Sequence, residues 1–199
     1  MKLRILTLLT LVCLSSFCVA QQGPPPRDLI LTKRIFLAFT PQVKAELKLT
    51  TDQVTKMTDA FEGGLEVDGD RIKLMLNGAQ DLGAMETEAI KILDAVQRKR
   101  LQEIWVQYLK GLALADEGIA KQVGLTESQK KETDRLVNEG GGAITELITG
   151  EPDPETSKKI DEIRAKYGKK MLDLLTADQK KAYDDLTGKP FEMKKKGQG

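Results

Sequence analysis

Leu175-Thr176-Ala177-Asp178-Gln179 is the stretch on which the fold turns, because the chain carries it four times in altered form. The other copies are Leu49-Thr50-Thr51-Asp52-Gln53, Leu93-Asp94-Ala95-Val96-Gln97 and Leu125-Thr126-Glu127-Ser128-Gln129. Each reads as a helix start. Thr50, Asp94, Thr126 and Thr176 sit where an N-cap side-chain oxygen accepts a hydrogen bond from an orphan N–H of the first turn. Gln53, Gln97, Gln129 and Gln179 follow three residues later and reach back to the cap's own N–H, completing a capping box with a smaller contribution than the cap itself. Leu49, Leu93, Leu125 and Leu175 pack the incoming chain onto the first turns. The N4 place holds apolar Val54 in one copy, but Arg98, Lys130 and Lys180 in the others, which offer only aliphatic stems. These residues form a structural motif, with no catalytic role expected of them.

The copies fall into two units. An offset of 76 aligns Leu49 with Leu125, Thr50 with Thr126 and Gln53 with Gln129. An offset of 82 aligns Leu93 with Leu175, Ala95 with Ala177, Gln97 with Gln179 and Lys99 with Lys181. The order of the boxes and the matching apolar positions point to a tandem duplication, about 43–110 and 119–191, with six more residues inside the second unit. Two units are too few for a solenoid.

Before the repeats stands an export signal, residues 1–20: Lys2 and Arg4 at the start, an apolar run from Ile5 to Val19, and Cys18-Val19-Ala20 at the cleavage positions. A lipoprotein anchor fits poorly, since Phe17 precedes Cys18 and Val12 precedes Cys13, where a small residue is needed. Cleavage after Ala20 removes both cysteines of the chain, so packing alone must hold the remainder together in an oxidising compartment. Removing Lys2 and Arg4 leaves 29 basic against 30 acidic residues, a net charge of −1. That balance argues against nucleic-acid binding, which needs a basic excess.

Along the chain, 21–27 reads as a disordered Gly/Pro leader, 28–191 as one helical domain and 192–199 as a flexible basic tail. Asp28 caps a helix through Ile35 and Leu37, and Thr40-Pro41 restarts the chain in a second one. Gly63-Gly64 interrupts the helix after the first box. A further helix is expected from Asp68, with Ile72, Met75, Leu76 and Ala79 at helical spacing. Asp68-Gly69-Asp70 lacks the further oxygen ligands of a calcium loop and marks that helix start. Leu101, Ile104, Trp105, Tyr108 and Leu109 form an amphipathic stripe, with Trp105 as core, and Gly111 ends the helix. Gly140-Gly141-Gly142 breaks the helix of the third box, and Asp153 caps the next, which continues past Gly168. Gly188-Lys189-Pro190 stops the last. No segment stands out for period-two alternation, so the expected fold is all-α, a bundle of amphipathic helices.

The chemistry open to such a chain is narrow. It contains no histidine. With the cysteines gone, Ser-His-Asp and Cys-His nucleophiles and the usual zinc sites are excluded. Gly140-Gly141-Gly142 has neither the Lys-Ser/Thr nor the strand of a phosphate loop. Acid pairs such as Asp161/Glu162 and Asp184/Asp185 diverge around a helix and read as solvated surface. No enzyme activity, cofactor or metal is expected.

An export signal, a helical chain and Leu-Thr-x-x-Gln boxes together resemble the LTxxQ-motif envelope protein family of Spy/CpxP-like periplasmic proteins. Three boxes match the motif literally, and the one at Leu93 carries Asp94 in place of Thr. The resemblance spans 43–191 and implies a helical, periplasmic protein that binds polypeptides as a chaperone or envelope-stress modulator. Family members carry two boxes and dimerise into a basic cradle. This chain has four boxes and near-neutral charge, and is expected to be a monomer without a membrane span. Its expected partners are unfolded clients or, alternatively, one defined envelope protein, for which it would be a structural or regulatory component. The expected compartment is the periplasm, with the extracellular space as the alternative. Intact mass of protein from its native envelope is expected to match a chain beginning at Gln21; a lipidated Cys18 or a retained 1–20 segment would count against cleavage.

Overall fold

The computed structural model describes residues 31, 33–68, 71–74, 81–148 and 153–193. The signal, the Gly/Pro leader, the Asp28 cap, the Met75–Ala79 part of the expected helix and the tail from 194 onward lie outside the described residues. Nine α-helices are described: α1 (Arg34–Ala38), α2 (Pro41–Glu46), α3 (Thr51–Asp59), α4 (Leu82–Lys91), α5 (Ala95–Leu109), α6 (Glu117–Val123), α7 (Glu127–Leu147), α8 (Pro154–Asp173) and α9 (Ala177–Thr187). A 3₁₀ segment, Lys110–Ala115, joins α5 to α6, and one hairpin of β1 (Leu65–Asp68) and β2 (Arg71–Leu74) lies between α3 and α4. The fold is all-α apart from that hairpin.

Each unit presents four helices in the same order, α2 to α5 and then α6 to α9, and boxes precede the second and fourth helix of each. The units share one core. Phe39, Phe61, Ile35 and Met57 are fully buried at the N-terminal end, and Phe61 meets Phe39 edge-on with centroids 6.5 Å apart. Leu101, Ile104, Leu112, Leu114, Ile119 and Ile144 continue the same cluster into the second unit. Helix α9 packs on α5 across the two units, and α8 packs on the 3₁₀ segment that links them. Tyr183 of α9 is buried there, and desolvation, with Asp184 beside it, pushes its hydroxyl well above the usual range. Glu86 of α4, also buried, accepts the backbone N–H of Ile35 at 3.3 Å and ties α1 down.

Several expectations need correction. The helix placed from Asp68 is instead a hairpin: Leu65 lies opposite Leu74, Glu66 opposite Lys73, Val67 opposite Ile72 and Asp68 opposite Arg71. Apolar and charged residues alternate along both strands and match in kind across the register, the arrangement that stabilises antiparallel pairs. The chain leaves α3 through two left-handed residues, Glu62 (φ 50°) and Gly63 (φ 77°), which no helix can continue through. At the offset of 76, Glu139 stands where Gly63 does, and α7 runs on.

It runs through Gly140-Gly141-Gly142 as well. The box at its start and the burial of Leu136, Val137 and Ile144 outweigh about 1 kcal/mol of propensity lost at each glycine. Nor does Gly111 act as a left-handed stop. Lys110 takes the positive φ of 52°, whereas Gly111 lies in the 3₁₀ segment where its backbone meets α8. A Cβ there would overlap the Gly168 carbonyl. Tyr108, placed on the inward stripe, is exposed, and Val106 is buried in its stead because α5 is covered on more than one side. Thr40 is the N-cap of α2, with Pro41 following, but its hydroxyl donates back to the Leu37 carbonyl at 2.8 Å.

Two substitutions separate these roles of glycine. Gly111→Ala is expected to destabilise by at least about 2 kcal/mol, since backbone, not a movable side chain, occupies the space. Gly142→Ala, whose Cβ would meet nothing within 4 Å, is expected to stabilise by about 1 kcal/mol. Urea unfolding of both variants measures the difference.

Candidate functional site

The four boxes all close. Thr50 Oγ1 accepts the Gln53 N–H at 3.1 Å and Gln53 Oε1 accepts the Thr50 N–H at 3.1 Å. The corresponding pairs of distances are 2.8 and 3.0 Å for Asp94 and Gln97, 3.2 and 2.9 Å for Thr126 and Gln129, and 3.3 and 3.0 Å for Thr176 and Gln179. Asp94 in place of Thr changes nothing in this pattern. The preceding leucines seat each box on the core: Leu93, Leu125 and Leu175 are buried, and Leu49 is half-buried against it.

The glutamines then do something the box does not require. Gln53 Nε2 donates to Gln97 Oε1 at 2.8 Å, and Gln97 Nε2 donates back to Gln53 Oε1 at 3.3 Å. In the second unit Gln129 Nε2 donates to Gln179 Oε1 at 2.8 Å, and Gln179 Nε2 donates back to Gln129 Oε1 at 2.9 Å. Each unit thus holds a reciprocal amide pair. The spare N–H groups reach main-chain carbonyls across the same junctions: Gln97 to Leu47 (3.1 Å), Gln129 to Leu174 (2.8 Å) and Gln179 to Gly124 (2.8 Å). Gln129 and Gln179 each use two acceptor positions and two donors, which saturates a primary amide. The boxes pair first with second and third with fourth.

Sequence reasoning placed the N-caps of the four boxes, but it missed the pairing and the caps at Asp81 and Asp116. The intervals gave no signal for the pairing: the paired glutamines are 44 residues apart in the first unit and 50 in the second. Those six extra residues show that the box, not the loop between helices, keeps its place.

Around this frame the surface is mostly charged. A shallow depression beside the second amide pair is lined by Ser128, Gln129, Lys131, Glu132, Arg135 and Leu174. Its charges are compensated within α7: Arg135 pairs with Glu132 and Glu139, and Glu132 beside it holds the guanidinium above its ordinary value. A second depression, between the end of α7 and the face of α8, is lined by Leu147, Ile163, Lys159, Glu162 and Lys166. Ile148, 37% exposed, adjoins it in sequence, and Lys170 and Lys166 stand 4.8 and 5.8 Å from the centroid of Tyr167. The other exposed large apolar residues among those described are Val96 and Tyr108, 77% and 43% exposed. Asp161, Glu162, Asp184 and Asp185 are all exposed, each pair on the outer side of its helix. Among the described residues, no helix is long and apolar enough to cross a membrane, and no group of three carboxylates is placed to hold a metal ion.

Comparison of the chain with protein-family models, curated proteins and solved structures gave no match.

The geometry of the boxes reverses the ranking of cap and glutamine expected from the box alone. Thr126→Ala is expected to cost about 1 kcal/mol, as a lost N-cap does. Gln129→Ala removes several bonds and leaves Gln179 partly unsatisfied, so it is expected to cost about 2–3 kcal/mol. A double-mutant cycle of Gln129→Ala with Gln179→Ala should give a coupling of about 1 kcal/mol by chemical denaturation. Additivity would show that the amide pair contributes nothing.

Proposed function

We propose that the protein is an exported, non-enzymatic helical protein that binds other polypeptides, acting in the periplasm as a chaperone or envelope-stress modulator of the LTxxQ type. The observation that carries this reading is the depression at Leu147 and Ile163, an apolar floor rimmed by Lys159 and Lys166, with Ile148 exposed beside it. Such a surface takes up apolar segments weakly while lysines keep it soluble. The doubled amide pairs support the family link, since they give the repeated Leu-Thr-x-x-Gln motif a single structural purpose in both units.

A second reading, binding to one defined envelope partner, is favoured by the dispersal of the other exposed apolar residues. Val96 and Tyr108 are about 18 Å apart along α5, too far to make one continuous patch by themselves. A partner of fixed shape can meet separated anchors; a varied set of clients has less use for them.

The two readings part in an aggregation assay. Near-stoichiometric protein, without ATP, is expected to suppress aggregation of several unrelated unfolding proteins, and moderate salt to weaken this only slightly at near-neutral net charge. Ile148→Glu should lower the protection severalfold while the circular dichroism is unchanged. Failure with every client would leave the single-partner reading.

A further inference from the structure

The segment that follows α9 is held to α5 in an unusual way. After α9 ends at Thr187, Gly188 takes φ 60° and residues 188–193 form neither helix nor strand. Two side chains of α5 hold this segment by its main chain. Gln107 Nε2 donates to the carbonyls of Thr187 (2.5 Å) and Lys189 (2.8 Å), while Gln107 Oε1 accepts the N–H of Phe191 (2.8 Å). Arg100 Nη1 donates to the same Lys189 carbonyl at 2.7 Å. Phe191 then turns inward: its ring lies 5.9 Å from the Arg100 guanidinium, and with Met193 it packs half-buried on the core.

The side chains that do the holding are themselves fixed. Arg100 is bound by Glu46 of α2 at 2.7 Å and by Glu103 at 2.9 Å, and its side chain is only 14% exposed. Seven residues separate Arg100 from Gln107, which places them on one face about 10 Å apart. Here a rigid helix face offers donors and an acceptor to backbone groups, plus one place for an aromatic ring. The carbonyl of Lys189 and the N–H of Phe191 flank Pro190, a residue with no N–H of its own to satisfy. Recognition of that kind depends on the backbone and one ring, and is indifferent to most side chains.

We propose that this face of α5 is a main-chain-reading groove which residues 187–193 occupy in cis, and that it accepts the Pro-aromatic segment of another polypeptide when the strap lifts. The strap is the intramolecular stand-in for that ligand. This deepens the polypeptide-binding reading and names a site for it separate from the depression at Ile163. Occupancy in cis lowers apparent affinity by the fraction of molecules whose groove is closed, so loosening the strap should strengthen binding in trans.

The test measures binding of a fluorescein-labelled peptide of residues 187–193 (Thr-Gly-Lys-Pro-Phe-Glu-Met) by anisotropy, with full-length chains throughout. Two variants loosen the strap without altering the groove: Phe191→Ala, which removes the ring, and replacement of 188–193 by Gly and Ser, which removes the ring and Pro190. Each is expected to bind the peptide about tenfold or more tighter than the unaltered chain. Adding Gln107→Ala to either should abolish the gain. Circular dichroism and Trp105 fluorescence check that the core is intact, and limited proteolysis checks that the strap is released. A released strap with no gain in peptide binding would overturn the proposal. So would a concentration-dependent dimer of the unaltered chain that Gln107→Ala dissolves, because the occupant would then be a second copy's tail. Peptide binding without aggregation suppression would leave the groove standing and sink the chaperone reading; suppression without peptide binding would do the reverse.

Discussion

The reciprocal amide pair is the interaction on which the arrangement of this protein depends. A capping box is local: it says where a helix begins and nothing about what lies next to it. Once Gln129 and Gln179 also bond each other, the starts of α7 and α9 are fixed relative to one another, and the bonds to Leu174 and Gly124 bring the ends of α8 and α6 to the same point. Four helix termini meet where a saturated pair of amides supplies the donors and acceptors that those termini lack. Gln53 and Gln97 repeat the device in the first unit. Buried leucines beneath each box then convert a polar junction into an entry point to the core.

Joining the two units is a separate problem, solved by close backbone approach. The 3₁₀ segment from Lys110 to Ala115 is buried along Gly111–Ala115 and passes against α8 at Gly168. A linker is ordinarily surface chain, because buried loops strand their polar backbone groups. Here the 3₁₀ bonds satisfy part of that backbone internally, while Leu112 and Leu114 fill the space between units. The units share a core through their linker, so neither has a complete hydrophobic interior of its own.

The outer surface follows a different logic. Among the described residues its ion pairs lie mostly along single helices, as between Lys130 and Glu127 or Lys159 and Glu155, where each carboxylate is held below its usual range by the neighbouring lysine. These exposed pairs contribute little to stability and leave no strong field to attract a charged partner. What distinguishes parts of the surface is the apolar floor at Leu147 and Ile163, and the strap that Arg100 and Gln107 hold by its main chain.

The sequence by itself determined the helix starts at the four boxes, because capping chemistry lies within four residues and needs no distant partner. Thr50, Asp94, Thr126 and Thr176 were readable for that reason, as were Asp153 before Pro154 and the stop at Gly188. The alternation behind the hairpin is present too, in Leu65-Glu66-Val67-Asp68 and Arg71-Ile72-Lys73-Leu74, but four residues a strand do not stand out in a sequence. Helical spacing of the residues further on obscured it. Tertiary structure alone decided the rest. Whether three glycines break α7 depends on what Leu136 and Ile144 pack against, since burial outweighs local propensity. Whether Gly111 is a cap or a crossing point depends on where Gly168 lies, 57 residues away in the chain. The glutamine pairs and the strap on α5 belong to the same class. Each joins groups tens of residues apart, and only packing brings such groups within hydrogen-bonding distance.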